Sequence, residues 1–241
     1  MKNMLKQVTV IFVTFVLLIG LPIIGGLVAN QFSYSSIDQD GSYMWISIHH
    51  IVQALLIVPF MLLIKKIWPN SNLGLHKGNV RLGLKYIGMF TLVFIGYTVV
   101  GYMIVLTTQT FQPFQFPMNL RNVVGYLGFQ LLLSGPSEEF LFRSFGIVLL
   151  SIFISKRLFK NRVSLANIIV AIIFGLAHIA IIWSPFELRY SLVQVIYATV
   201  LGLVYGDCFE KTGSVLYPMA LHSLSNVISV GVTVIITAIM N

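Results

Sequence analysis

The residues best suited to chemistry lie in one short run, Ser134-Gly135-Pro136-Ser137-Glu138-Glu139-Phe140-Leu141-Phe142-Arg143, set inside a long apolar stretch. Two carboxylates and a guanidinium in such surroundings are costly. At bilayer depth each charged side chain costs at least about 2.5 to 3.5 kcal/mol, so their presence there points to function. Glu139 and Arg143 are four residues apart with the acid first, the favourable order for an ion pair along a helix. Glu138 is five residues from Arg143 and points elsewhere, so it is the carboxylate left free to act. A buried Glu139–Arg143 pair holding two helices together explains those two residues and leaves Glu138 unaccounted for. Two further polar groups lie on other apolar stretches: His178, one turn after Phe174, and His222, one turn before Asn226. A lone histidine in a helical bundle is more often a packing residue. Three stretches that each offer a catalytic-type group favour one shared site.

The elements that must carry these residues are membrane spans. Of 241 residues, 57% are hydrophobic and 9% charged, against roughly 25% charged in a soluble domain. The apolar stretches match the ~20 residues a helix needs to cross a bilayer. The reading gives spans at 8–28, 43–64, 86–106, 122–155, 164–183, 190–205 and 214–240. The fourth is long, roughly 50 Å at 1.5 Å per residue. It is read as one tilted passage broken at Gly135-Pro136, with Ser137 capping the next piece so that both glutamates lie in its first turn. The expected fold is therefore all-α, a polytopic transmembrane helical bundle of about seven to eight spans. Residues 1–121 form N-terminal transmembrane helices without a motif, and 122–241 form the catalytic helical core of a single membrane domain.

The formal charge of +8 reports membrane orientation in such a chain and gives no reason to expect nucleic acid. Lys2, Lys6, Lys65, Lys66, Lys77, Arg81, Lys85, Lys156, Arg157, Lys160, Arg162 and Lys211 fall on one side, and Arg121 and Arg189 on the other. The N-terminus is therefore expected in the cytoplasm, with the plasma membrane as the location and anionic lipid headgroups as partners of the basic loops. The first apolar stretch is too long for a signal peptide and is read as a span. Gly202 and Gly206 form a G-x-x-x-G that permits close helix approach. The single cysteine, Cys208, excludes a disulfide framework and reads as a small core residue. His49 and His50 point about 100 degrees apart on a helix, which makes them poor joint metal ligands, and they are read as interfacial.

The three motifs E-E-x-x-x-R, F-x-x-x-H and H-x-x-x-N, in this order on apolar helices, resemble the CPBP (Abi) family of intramembrane proteases. That family includes type II CAAX prenyl endopeptidases and bacteriocin self-immunity proteins. The resemblance covers about residues 122 to 235. It implies that Glu138 and His178 activate a water for attack on a peptide carbonyl, while His222 and Asn226 stabilise the oxyanion or complete a metal site. Neutral imidazole and a side-chain amide can donate to a developing oxyanion. The resemblance makes a divalent metal such as zinc an expected but open cofactor, with Glu138, His178 and His222 as candidate ligands, and a membrane-associated peptide or protein the substrate. The competing expectation is a proton- or ion-coupled transporter using the same groups as a relay. The absence of internal repeats and the motif order argue against it.

Overall fold

The computed structural model describes residues 2–241. Five helices are long and apolar enough to cross a membrane: α1 (Lys2–Ala29, apolar from Met4), α2 (Met44–Ile67), α3 (Val80–Thr107), α8 (Leu192–Thr212) and α9 (Leu216–Met240). Their outer faces are apolar: Leu92 and Val93 on α3 and Val193 on α8 are among the most exposed side chains, while Phe94 and Thr98 face inward. That is the pattern of a bundle whose solvent is lipid, where packing must come from shape and internal polar contacts. The helical membrane bundle expected from the sequence is the fold found.

Residues 120–153 form one continuous helical passage. It runs through α4 (Leu120–Phe129), a π-helical turn (Gln130–Ser134), α5 (Gly135–Glu139), a second π-helical segment (Phe140–Ile147) and α6 (Val148–Phe153). The expected break at Gly135-Pro136 does not occur. Ser134 and Gly135 keep right-handed helical dihedrals (φ −57°, ψ −68° and φ −56°, ψ −53°), and Ser137 caps nothing. Pro136 lacks an N–H, and its ring would clash with the preceding turn of an ordinary α-helix. Widening the ladder to i→i+5 relieves both problems without ending the helix. Both glutamates therefore lie within a continuous helix and gain no free helix N-terminus.

Gly135 is the point of closest approach to α9. A Cβ there would stand 2.8 Å from both the backbone nitrogen and the hydroxyl of Ser223, and 3.1 Å from Cβ of His222. Only a residue without a side chain lets the two backbones come that near.

The fifth expected span is also different. Helix α7 (Leu165–Leu176) is about 18 Å long at 1.5 Å per residue, too short to cross a core about 30 Å thick. After it the chain forms an antiparallel hairpin, Ala180–Trp183 against Phe186–Arg189, with Ser184 and Pro185 between the strands. The β-branched Ile181 and Ile182 suit an extended chain, and Ser-Pro supplies the turn. His178 thus sits in the turn after α7 and is not within a spanning helix.

Helix α7 packs on α8 through the G-x-x-x-G. A Cβ on Gly202 would lie 3.2 Å from Phe174 and 3.3 Å from Ala171, and Gly206 abuts Asn167, whose amide donates to the Leu203 carbonyl at 3.1 Å. Cys208 is a free thiol with no exposure, as a core residue should be. One end of the bundle gathers the loops rich in base. There Arg157 pairs with Glu210 at 3.2 Å, Lys211 with Asp207 at 2.9 Å, and Tyr217 donates to the Lys77 carbonyl. The opposite end holds the α1–α2 loop, where the Asp38 carboxylate accepts from the backbone N–H groups of Ser42, Tyr43 and Met44 and so closes the start of α2.

Candidate active site

The fourth passage, α2, α8 and α9 converge on Glu138 and Glu139. Glu139 and Arg143 are both fully buried, with Arg143 Nε 3.0 Å from Glu139 Oε2. The donor direction is off line, so the contact is an ion pair and not an aligned hydrogen bond. Arg143 Nη2 donates to the Gly202 carbonyl at 3.0 Å. The guanidinium carbon lies 4.7 Å from the centre of the Phe174 ring and 5.5 Å from that of Tyr205. The other Glu139 oxygen is 2.9 Å from Nδ1 of His222. With Glu139 ionised beside the arginine, Nδ1 must be the donor, which leaves Nε2 of a neutral His222 as an acceptor.

Glu138 is the more accessible acid, with its side chain 20% exposed. Its Oε2 is 3.8 Å from Nε2 of His222 and its Oε1 is 3.9 Å from Nε2 of His50. Both gaps exceed a direct hydrogen bond. They suit a single water that sits about 2.8 Å from each partner. His222 is held on three sides: by Glu139, by Tyr205 stacked on it with ring centres 5.1 Å apart, and by the edge of Phe174 at 5.8 Å. Tyr205 in turn is tied to Ser225 at 2.8 Å.

The remaining expected residues lie around this centre. Asn226 donates one amide hydrogen to Ser134 Oγ at 3.0 Å, and its second N–H is available to a guest. His178 is half-buried. Its Nδ1 lies 2.8 Å from the Phe174 carbonyl, which makes it the donor, and its ring meets the Phe174 ring edge-on at 5.1 Å. Counted along spans, His178 and His222 fall at opposite depths. Here the Phe174 ring meets both imidazoles, so His178 stands one aromatic ring away from His222. Among the described residues, no three His, Cys, Asp or Glu side chains are gathered so as to hold a metal ion.

The sequence reading missed His50. It is buried, at 6% exposure, and belongs to the inward stripe of α2 with Gln53, Ile57, Met61 and Ile64. The interfacial role expected for it is therefore corrected. Only His49 lies off that stripe, against Trp45. The available signal was the i, i+3 spacing of two polar residues, His50 and Gln53, on one face of an apolar span.

An apolar trough of about 640 Å³ runs between α3 and α8, lined by residues that include Phe90, Phe94, Tyr97, Tyr197 and Val204, with Lys85 and Lys211 at its edge. Phe90 lies 5.8 Å from the ring of Tyr205, so one aromatic layer separates the trough from His222.

Residues 120–228 match the model of a protein family described as type II CAAX prenyl endopeptidase Rce1-like. The match covers under half of the chain and agrees with the resemblance carried by the three motifs. No curated protein and no solved structure matches the chain.

Proposed function

We propose that this protein, a family relative of the type II CAAX prenyl endopeptidases, is an intramembrane endopeptidase that cleaves membrane-associated peptides with Glu138 as its general base. The observation that carries the reading is the half-open Glu138 carboxylate facing two imidazole Nε2 atoms at 3.8 and 3.9 Å, deep in an apolar bundle. A water between Glu138 and the His222 lone pair gives its proton to Glu138. Its oxygen adds to the scissile carbonyl carbon, and the carbonyl electron pair moves to oxygen as the oxyanion. The spare N–H of Asn226 is the donor assigned to that oxyanion, while His178, whose Nδ1 proton is held by the Phe174 carbonyl, presents a lone pair at Nε2 and cannot serve it. Glu138 then passes the proton to the amide nitrogen and the C–N bond breaks, leaving a carboxylic acid and an amine, and the acid's proton, the second of the water, passes to the amine to give a carboxylate and an ammonium group. Arg143 and Glu139 act at one remove, because their pair fixes the tautomer and angle of His222. The apolar trough beside Tyr205 favours substrates that lie in or on the bilayer.

The test compares peptide termini in membranes holding the wild-type protein and Glu138→Gln. A positioned base contributes about 10² to 10⁴ in rate, so the variant should abolish the protein-dependent termini at an unchanged melting temperature. Cleavage by Glu138→Gln at near wild-type rate would refute the mechanism.

Zinc is the second way to activate the same water. One observation favours it: a carboxylate on Nδ1 of His222 is the partner that metal-bound histidines usually have. The three candidate ligands Glu138, His178 and His222 are not gathered as a metal site in this structure, and one glutamate cannot serve easily as both ligand and base. Cleavage that survives exhaustive chelation, in protein with no bound metal, decides for the metal-free route. Loss of cleavage that zinc restores decides for the ion.

A further inference from the structure

Helix α2 lies outside every motif described above, yet it delivers a fully wired histidine to Glu138. Nδ1 of His50 is 2.7 Å from Ser137 Oγ and 3.0 Å from Nε2 of Gln53, and the same Gln53 nitrogen donates to Ser137 Oγ at 3.0 Å. The Ser137 hydroxyl also lies 3.2 Å from the Ser134 carbonyl. It has one proton and cannot serve both neighbours. A proton on Nδ1 would set two donors, Nδ1–H and the Gln53 amide, against each other at 3.0 Å. With Nδ1 bare, its one lone pair takes the serine proton at the shorter contact, the amide donates to Ser137 Oγ, and no donor is set against another. The remaining proton of a neutral His50 is then on Nε2, which faces Oε1 of Glu138.

From this wiring we infer that His50 is a positioning residue of the catalytic base: its Nε2–H holds Oε1 of Glu138, directly or through one water, so that Oε2 is turned to the His222 lone pair and the reacting water. The two histidines flanking Glu138 thus carry opposite tautomers, His50 offering a proton and His222 a lone pair. The asymmetry assigns the two carboxylate oxygens different work. The inference rests on the endopeptidase reading, but the tautomers do not.

Two measurements on the full-length protein therefore separate the two ideas. Imidazole ¹⁵N spectra of histidine-labelled protein, assigned by loss of signals in His50→Gln and His222→Gln, should show Nε2 of His50 and Nδ1 of His222 as the protonated nitrogens. A protonated Nδ1 on His50 overturns the wiring whatever the protein cleaves. In peptide cleavage, His50→Ala should lower kcat by about 10² with KM and melting temperature nearly unchanged, within the range seen for loss of one preorganised donor. His50→Gln places an amide N–H near the position of Nε2 and should recover at least tenfold. If His50→Ala turns over at the wild-type rate while Glu138→Gln is dead, the role of His50 falls and the endopeptidase reading stands. If Glu138→Gln still cleaves, the reading itself falls. A glutamine variant no more active than alanine, with both melting early, shows packing alone and overturns the inference.

Discussion

Arg143→Ala should damage this protein more than the loss of its contacts suggests, because of what it leaves behind. The side chain has no exposure and its only carboxylate partner, Glu139, has none either. Truncation strands the glutamate charge in the bundle, and breaking a buried pair from one side costs about 3 to 5 kcal/mol. It also removes the donor to the Gly202 carbonyl and the cation over Phe174. At about 2 to 4 °C per kcal/mol for a chain of this size, the melting temperature should fall by about 6 to 20 °C. The informative companion is the double variant Glu139→Gln, Arg143→Met. Glutamine keeps an acceptor for Nδ1 of His222, which an apolar residue would orphan, and methionine fills the space without a charge. The double variant should recover at least half of the lost stability, while its activity returns only in part because His222 has lost its ionic partner. Thermal unfolding in detergent, followed on all three proteins together with peptide cleavage, reads both effects. An Arg143→Ala protein that melts within about 2 °C of wild type, or a double variant no more stable than the single one, would refute the argument from the stranded charge.

Two other predictions concern the ends of the bundle. Burial acts to raise the pKa of Asp38, but the hydrogen bonds from Met44, Tyr43 and Ser42 outweigh it and hold the carboxyl below its ordinary value of 3.8. A depressed carboxyl stabilises the fold above the unfolded pKa and loses that contribution as pH falls through the folded value. Asp38→Asn should therefore destabilise by about 1 kcal/mol near neutral pH, and melting curves of the two proteins should converge as pH drops below about 4. For orientation, we propose a cytoplasmic N-terminus on the basis of the basic loops. Reporter fusions at Lys77 and Asn161 should read cytoplasmic and one at Asp40 external, and an external Lys77 would reverse the assignment.

Apolar runs located the long helices within a few residues, since a lipid-facing helix advertises itself by composition. The apolar run at 86–106 became α3 (Val80–Thr107), extended because Asn79 caps it by accepting from Leu82. Spacing also foretold the contact of Glu139 with Arg143, because i, i+4 geometry is local. What spacing could not reach was anything decided between helices. His50 looked interfacial by its place in a span, and its burial depends on how α2 packs against the fourth passage. Pro136 looked like a breaker, but the widened turns that absorb it are stabilised by contact with α9 at Gly135. The Ile179–Trp183 stretch was counted as span by hydropathy alone, which does not separate a buried helix from a hairpin strand.

The widened turns make the angular phase of the fourth passage a separate property from its residues. An ordinary α-helix advances about 100 degrees per residue, and the π-helical turn at Gln130–Ser134 inserts a residue into that count. Winding the same residues at common pitch would swing Gly135 through Arg143 around the axis by about that angle. Glu138, Glu139 and Arg143 would keep their mutual spacing, and a motif would still find them intact. Yet the carboxylates would turn away from His50 and His222 while Ser134 could no longer reach Asn226. The wide turn is thus a clutch between two rigid shafts: the carboxylates of the site are written downstream of it, but whether they engage the rest of the bundle is set by the width of a single turn upstream.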